Sequence, residues 1–206
     1  MLASKTFVSF YFKITMDYSL LTAIAMGISL SACAGFRVFI PMLAGAVAGH
    51  FNIIALPADM QWLGSWPAIA CFGTAAVAEI AAYYIPFVDN MLDTIATPLS
   101  VAAGTLLASS ILPITEQEPL VRWGVALLTG GSAAGAIQLG TGVLRLFSSK
   151  ATVGTGNAVV ATAENAAALT GSLLSFFIPV IVALVLVILI CWIVVKLGKK
   201  LVGRKA

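Results

Sequence analysis

Between Ser19 and Leu197 the chain passes through six apolar blocks, 19–50, 67–86, 94–112, 119–147, 155–170 and 172–197, in which ionisable side chains are few. Blocks of this kind are what bilayer crossings of roughly 20 residues require. Only 9% of the 206 residues are charged and 61% are hydrophobic, against about 25% charged in an ordinary soluble domain. A water-soluble fold of this size would lack its polar exterior, whereas lipid accepts apolar side chains on the outside of a bundle. The blocks are rich in Ala, Leu and small residues and show no period-two alternation, so the expected fold is an all-α membrane protein with about six transmembrane helices. A single helical domain over 17–197 follows, preceded by a flexible extension at 1–16 and followed by a basic tail at 198–206.

Two blocks, 19–50 and 119–147, exceed the length of one crossing and carry helix breakers near their middles. These are Gly35 and Pro41 around Arg37 in the first, and Gly130, Gly131 and Gly135 in the second. Tilt absorbs some excess length, but clustered glycines and a proline predict discontinuous or re-entrant helices in both. The two blocks also resemble each other, with Ala34-Gly35 falling on Ala134-Gly135. Downstream, "AVAEIAA" around Glu79 matches "ATAENAA" around Glu164, each followed by a breaker (Pro86, Gly171), and a proline follows in each next span (Pro98, Pro179). Their common order argues for an internal duplication into halves at about 17–112 and 119–197. Three crossings per half make the halves inverted repeats, as in many transporters. Lys5, Lys13, Arg145, Lys150 and the C-terminal lysines then share one side, which places both termini in the cytoplasm of a multi-pass inner-membrane protein.

A carboxylate inside a bilayer costs a few kcal/mol on insertion scales, about 2.5–3.5, so it faces a partner or a wet cavity. Glu79 and Glu164 are therefore the first candidates for a substrate or ion pathway. Arg37 offers five donors that need carboxylates, carbonyls or an anionic ligand, and Glu79 and Glu164 are available to it. The alternative is that Arg37 and the helix end beside Gly35 hold a substrate anion. Asn165, next to Glu164, adds an interhelical hydrogen-bonding group. Asp89 and Asp93, four residues apart, offer either a cation site or, through Asp93-Thr94, a helix cap at the start of the 94–112 span.

Soluble-enzyme chemistry is missing: there is no phosphate loop, no nucleophile with a usable histidine, and no metal-ligand spacing among Cys33, Cys71, Cys191 and the single His50. No enzyme activity, catalytic residue, metal or cofactor is expected. The net charge of +3 reflects a basic C-terminus, which reads as a topology anchor and not as a nucleic-acid site. The expected partners are the lipid bilayer and, at the C-terminal tail, anionic lipid headgroups; a homodimer stays open.

The stretches "SACAGFRVFIP", "IPFVDNMLDTIATPLSVAAGTLL" and "ATAEN" together resemble the bacterial membrane proteins grouped as domain of unknown function 4126, over nearly all the chain from about Asp17. The resemblance implies a multi-span inner-membrane protein and no activity. It also implies a histidine and a lysine in the stretch matching 137–145, where this chain reads "IQLGTGVLR" with Arg145 as its only basic residue. The functional expectation is a small transporter or channel for an ion or small solute, with Glu79 and Glu164 lining the path. The alternative is a non-transporting scaffold or lipid-organising protein whose buried polar residues are structural.

Overall fold

The computed structural model describes residues 20–113, 118–152 and 156–202. The extension at 1–16 and the end of the basic tail lie outside the described residues. Among the described residues all regular structure is helical: α1 (Leu20–Cys33), α2 (Phe39–His50), a 3₁₀ turn (Ala58–Gly64), α3 (Trp66–Ala82), α4 (Pro86–Ile111), α5 (Pro119–Thr152), α6 (Asn157–Phe177) and α7 (Pro179–Val202). Three segments are long and apolar enough to cross a membrane: Thr94–Ile111 of α4, all of α5, and Pro179–Lys196 of α7. A fourth is added if α3 is counted with the 3₁₀ turn, from which it is bent by 55°. The outer surface fits lipid. Val77, Leu128, Val159, Phe177 and Ile188 are each more than two-thirds exposed, an apolar surface that a bundle tolerates only where no water meets it.

The first long block is broken as its residues predict, but the break has a sharper form. α1 ends at Cys33, a turn covers Ala34–Phe36, and α2 starts at Phe39. With 12 residues, α2 is about 18 Å long, well short of a roughly 30 Å hydrocarbon core. Pro41 is not the breaker; it lies in the first turn of α2, where a helix has no use for the amide hydrogen that proline lacks. At its other end α2 closes with Asn52 in the left-handed region (φ 55°). There the Asn52 amide donates to Gly49 O (3.2 Å) and the Ile53 amide to Ala48 O (2.8 Å), a Schellman closure.

The second long block departs from expectation. α5 is continuous over its 34 residues, and Leu127–Gly131 widens it into a π-helical turn without breaking it. The reason is packing. A Cβ on Gly130 would strike the Gly104 carbonyl oxygen, Ala108 Cβ (2.5 Å) and Ser31 Oγ (2.7 Å), and one on Gly104 would meet Gly130 O (2.6 Å) and Ala134 Cβ (2.7 Å). The glycines thus let α4, α5 and the end of α1 approach backbone to backbone, as small residues do in membrane bundles. Ser31 Oγ adds a bond across the same crossing, donating to Gly104 O at 2.8 Å.

The break at Pro86 stays, and the one at Gly171 moves. Gly171 lies inside α6, where a Cβ would meet Cys33 Sγ at 2.7 Å, and the real break comes at Ile178, before Pro179. Pro98 sits inside α4, which starts at Pro86 with Ile85 as its N-cap. Asp93 is therefore within the helix and is not a cap. The side chains of Asp89 and Asp93 lie outside the described residues.

The packing predicts a contrast among glycine-to-alanine substitutions. Gly104→Ala and Gly130→Ala should each cost about 1–3 kcal/mol, the usual penalty of overpacking. Gly124→Ala, with nothing within 4 Å of the new Cβ, should be neutral or stabilising by up to about 1 kcal/mol of helix propensity. Thermal unfolding in detergent reads the difference; equal effects at all three positions would contradict a close α4–α5 crossing.

Candidate functional site

The break between α1 and α2 leaves the first amides of α2 without intrahelical partners, and Val38, the N-cap residue, supplies no side-chain cap. Glu79 supplies it from α3. Its Oε1 accepts from the Val38 amide at 2.9 Å and its Oε2 from the Phe39 amide at 3.0 Å. A carboxylate astride the positive end of a half-helix is a favourable charge-assisted arrangement. Glu79 also forms part of the wall of a cleft of about 270 Å³ between α2, α3 and α4, together with Phe39, Tyr83, Leu92 and Ile95.

One residue before that cap, Arg37 turns into the bundle with its side chain fully buried. Its Nε donates to Asn165 Oδ1 (2.5 Å), Nη1 to Glu164 Oε2 (2.7 Å) and to Phe36 O (3.1 Å), and Nη2 to Ala161 O (3.2 Å). Four of the five guanidinium donors are thus accounted for, three of them by α6. Glu164 is shared. Arg145 of α5 reaches the same carboxylate, its Nε donating to Oε1 at 3.2 Å and its Nη2 to Oε2. Glu164 and Arg145 are themselves 4% and 3% exposed, so a single buried carboxylate lies between two buried guanidinium groups.

Two tyrosines complete the cluster. The ring of Tyr83, one helical turn beyond Glu79, lies 3.8 Å from Arg37 Cζ and 4.1 Å from Arg145 Cζ, a cation–π contact to each. The Tyr84 hydroxyl pairs with Thr162 Oγ1 at 2.9 Å and accepts from Asn165 Nδ2 at 3.4 Å. The ionisable members are two guanidinium groups and two carboxylates, formally neutral as a set. Glu164 is the counter-charge that both guanidinium groups bond directly, and removing the partner of a buried charge is strongly destabilising.

The structure brings together Arg37, Glu79, Glu164 and Asn165, and it adds Arg145, Tyr83 and Tyr84, to which the sequence reading gave no place in the site. Gln138, Thr141 and Arg145 are all buried, and their spacing of three and four puts them on one face of α5. A buried polar stripe ending in an arginine is the signal that marks Arg145. The breakers have separate places. Gly35 is in the turn, where a Cβ would strike the Ala134 carbonyl oxygen and Ile137 Cβ (2.6 Å). Gly130 and Gly131 are in the π turn, and Gly135 packs on Val101 of α4. Among the described residues no group of three or more His, Cys, Asp or Glu side chains is placed to hold a metal ion.

Replacing Glu164 by Gln should destabilise the protein by about 3–5 kcal/mol, because two buried guanidinium groups lose their common counter-charge. Arg37→Lys should also destabilise, because one ammonium cannot reproduce a planar fork spread over Asn165, Glu164 and two carbonyls. Unfolding in detergent reads both; wild-type stability in Glu164→Gln would contradict the shared-carboxylate geometry.

The family model described as Domain of unknown function (DUF4126) matches residues 24–199, and the chain belongs to that family. No curated protein and no solved structure matches the chain.

Proposed function

We propose that this member of the DUF4126 family is a small membrane transporter or channel for an ion or small solute, in which Glu79 is the displaceable group on the path and Arg37, Glu164 and Arg145 lock the halves of the bundle together. The observation that carries the reading is the double position of Glu79. Its carboxylate closes the amide end of a broken helix and also borders a cleft, so neutralising it weakens the hold on one of the two amides and moving it frees both next to a cavity. Broken helices with ionisable side chains at their ends are how transporters build binding sites at membrane depth. In this reading α1 and α2 form one interrupted crossing. Two inverted halves remain, α1 to α4 and α5 to α7, with Pro86 and not Pro98 as the counterpart of Pro179 at the start of the last helix. The positive-inside pattern then puts both termini in the cytoplasm of an inner-membrane protein.

A second reading, a non-transporting membrane scaffold, is favoured by one feature. Arg37 is closed off from solvent with its donors taken by the protein, which suits a clamp better than a ligand site. The two readings separate in proteoliposomes. Transport requires a proton, alkali-cation or small-solute permeability above that of protein-free liposomes, lowered at least about tenfold in Glu79→Gln while its thermal stability is kept, a barrier change of about 1.4 kcal/mol. Permeability equal to that of protein-free liposomes for all three would leave the scaffold.

A further inference from the structure

We propose that the groove between α5 and α7 holds an acyl chain of an anionic phospholipid, with the lipid phosphate at Lys196. The groove measures about 630 Å³, within the roughly 300–1,000 Å³ of small-ligand sites. Thr141 and Ile193, both buried, and the half-buried Phe36 line its depth, and Leu144, Phe147 and Trp192, each more than half exposed, form its rim. The one hydroxyl at depth is already used, since Thr141 Oγ1 donates to Gln138 O at 3.1 Å. The two helices touch within the groove, where a Cβ on Gly140 would lie 2.6 Å from Ile193 Cδ1.

The direction of the two helices fixes what the groove faces. Ala133 and Ile137 of α5 share a core cluster with Val182, Leu186 and Ile193 of α7, Gly140 of α5 lies on Ile193 of α7, and the residues 140–147 and 189–196 line the groove. α5 and α7 therefore run parallel, and their lysines collect at one end. Lys150 is in the last turn of α5, and Lys196 closes the apolar stretch Pro179–Lys196 of α7. From Leu189 to Lys196 the groove is about 10 Å long at 1.5 Å per residue, less than half of a roughly 30 Å hydrocarbon core, so it lies within a single leaflet. Lys196 Nζ sits 4.4 Å from the Trp192 ring, the pairing of indole and snorkelled ammonium found at the headgroup level.

Charge selects the occupant. Neither α5 nor α7 contains an Asp or Glu, so neither helix brings a carboxylate to this mouth, and an apolar slot ending at the Lys196 ammonium is complementary to an acyl chain ending at a phosphate. A second copy of the chain fits less well. A two-fold pairing through the groove brings the same surface of both copies together, and with it the two copies of Lys196.

The test is native mass spectrometry of the full chain in detergent with equal amounts of dioleoyl phosphatidylglycerol and dioleoyl phosphatidylcholine. The wild type should retain phosphatidylglycerol in preference, by about fivefold, the effect of one lysine at an anionic surface. Lys196→Glu should abolish the preference, and Leu144→Trp, which fills the groove from its rim, should lower retention of both lipids. Both substitutions are on the exposed surface, and unchanged unfolding midpoints in lipid-free detergent check that they fold. Equal retention of the two lipids by the wild type overturns the proposal. So does undiminished retention of both lipids in Leu144→Trp, which would mean headgroup attraction to the surface alone. A lipid-free dimer that Leu144→Trp dissociates would put a second copy in the groove and overturns it as well.

Discussion

One carboxylate between two guanidinium groups is the constraint on which the bundle depends. Glu164 meets Arg37, from the break that follows α1, and Arg145, from α5. A guanidinium in the interior of a membrane protein has no water to turn to and no means of losing its charge. Wherever Arg37 and Arg145 sit, α6 must bring a counter-charge to them, and this fixes the rotation of three separate segments at once. The Tyr83 ring lies against both cations and extends the same constraint to α3.

Small residues make that convergence sterically possible. Arg37 enters the bundle only because the turn before it lies directly on α5, with Gly35 against Ala134 and Ile137. The Gly104–Gly130 crossing holds α4 onto the π turn of the same helix. Without a hydrophobic drive between helices in lipid, such contacts and a few interhelical polar bonds supply the association. The division of labour is then clear in physical terms. In the arginine–glutamate cluster four of the five Arg37 donors and both oxygens of Glu164 are engaged, whereas Glu79 is held by two amides and stands beside a cleft.

Much of this was legible in the residues. The all-helical fold follows from block length and composition, and the break around Gly35 and Arg37 follows from a glycine and a charge inside a block too long for one crossing. Pro41 misled in detail because proline is tolerated in a first helical turn as readily as it breaks a later one. The glycines of 127–131 misled for a different reason. Glycine marks close backbone approach as well as helix breaks, and only the position of Gly104 across the interface decides between them. Arg145 was placed with the topology charges near a helix end, because nothing local tells an arginine that snorkels from one that turns inward. Its partner, Glu164, lies on another helix 19 residues away. The shift of the late break from Gly171 to Ile178 has the same origin, since Gly171 is there to admit Cys33.

The central claim is that Glu79 is a displaceable cap while Glu164 is a fixed lock. Residue-resolved amide hydrogen exchange by NMR in lipid nanodiscs tests it most directly, because the Val38 and Phe39 amides are held by Glu79. The account predicts that Glu79→Gln speeds exchange at those two amides and leaves α6 protected, whereas Glu164→Gln speeds exchange broadly through α2 and α6. Val38 and Phe39 amides as protected in Glu79→Gln as in the wild type, or broad deprotection in that variant, would contradict it.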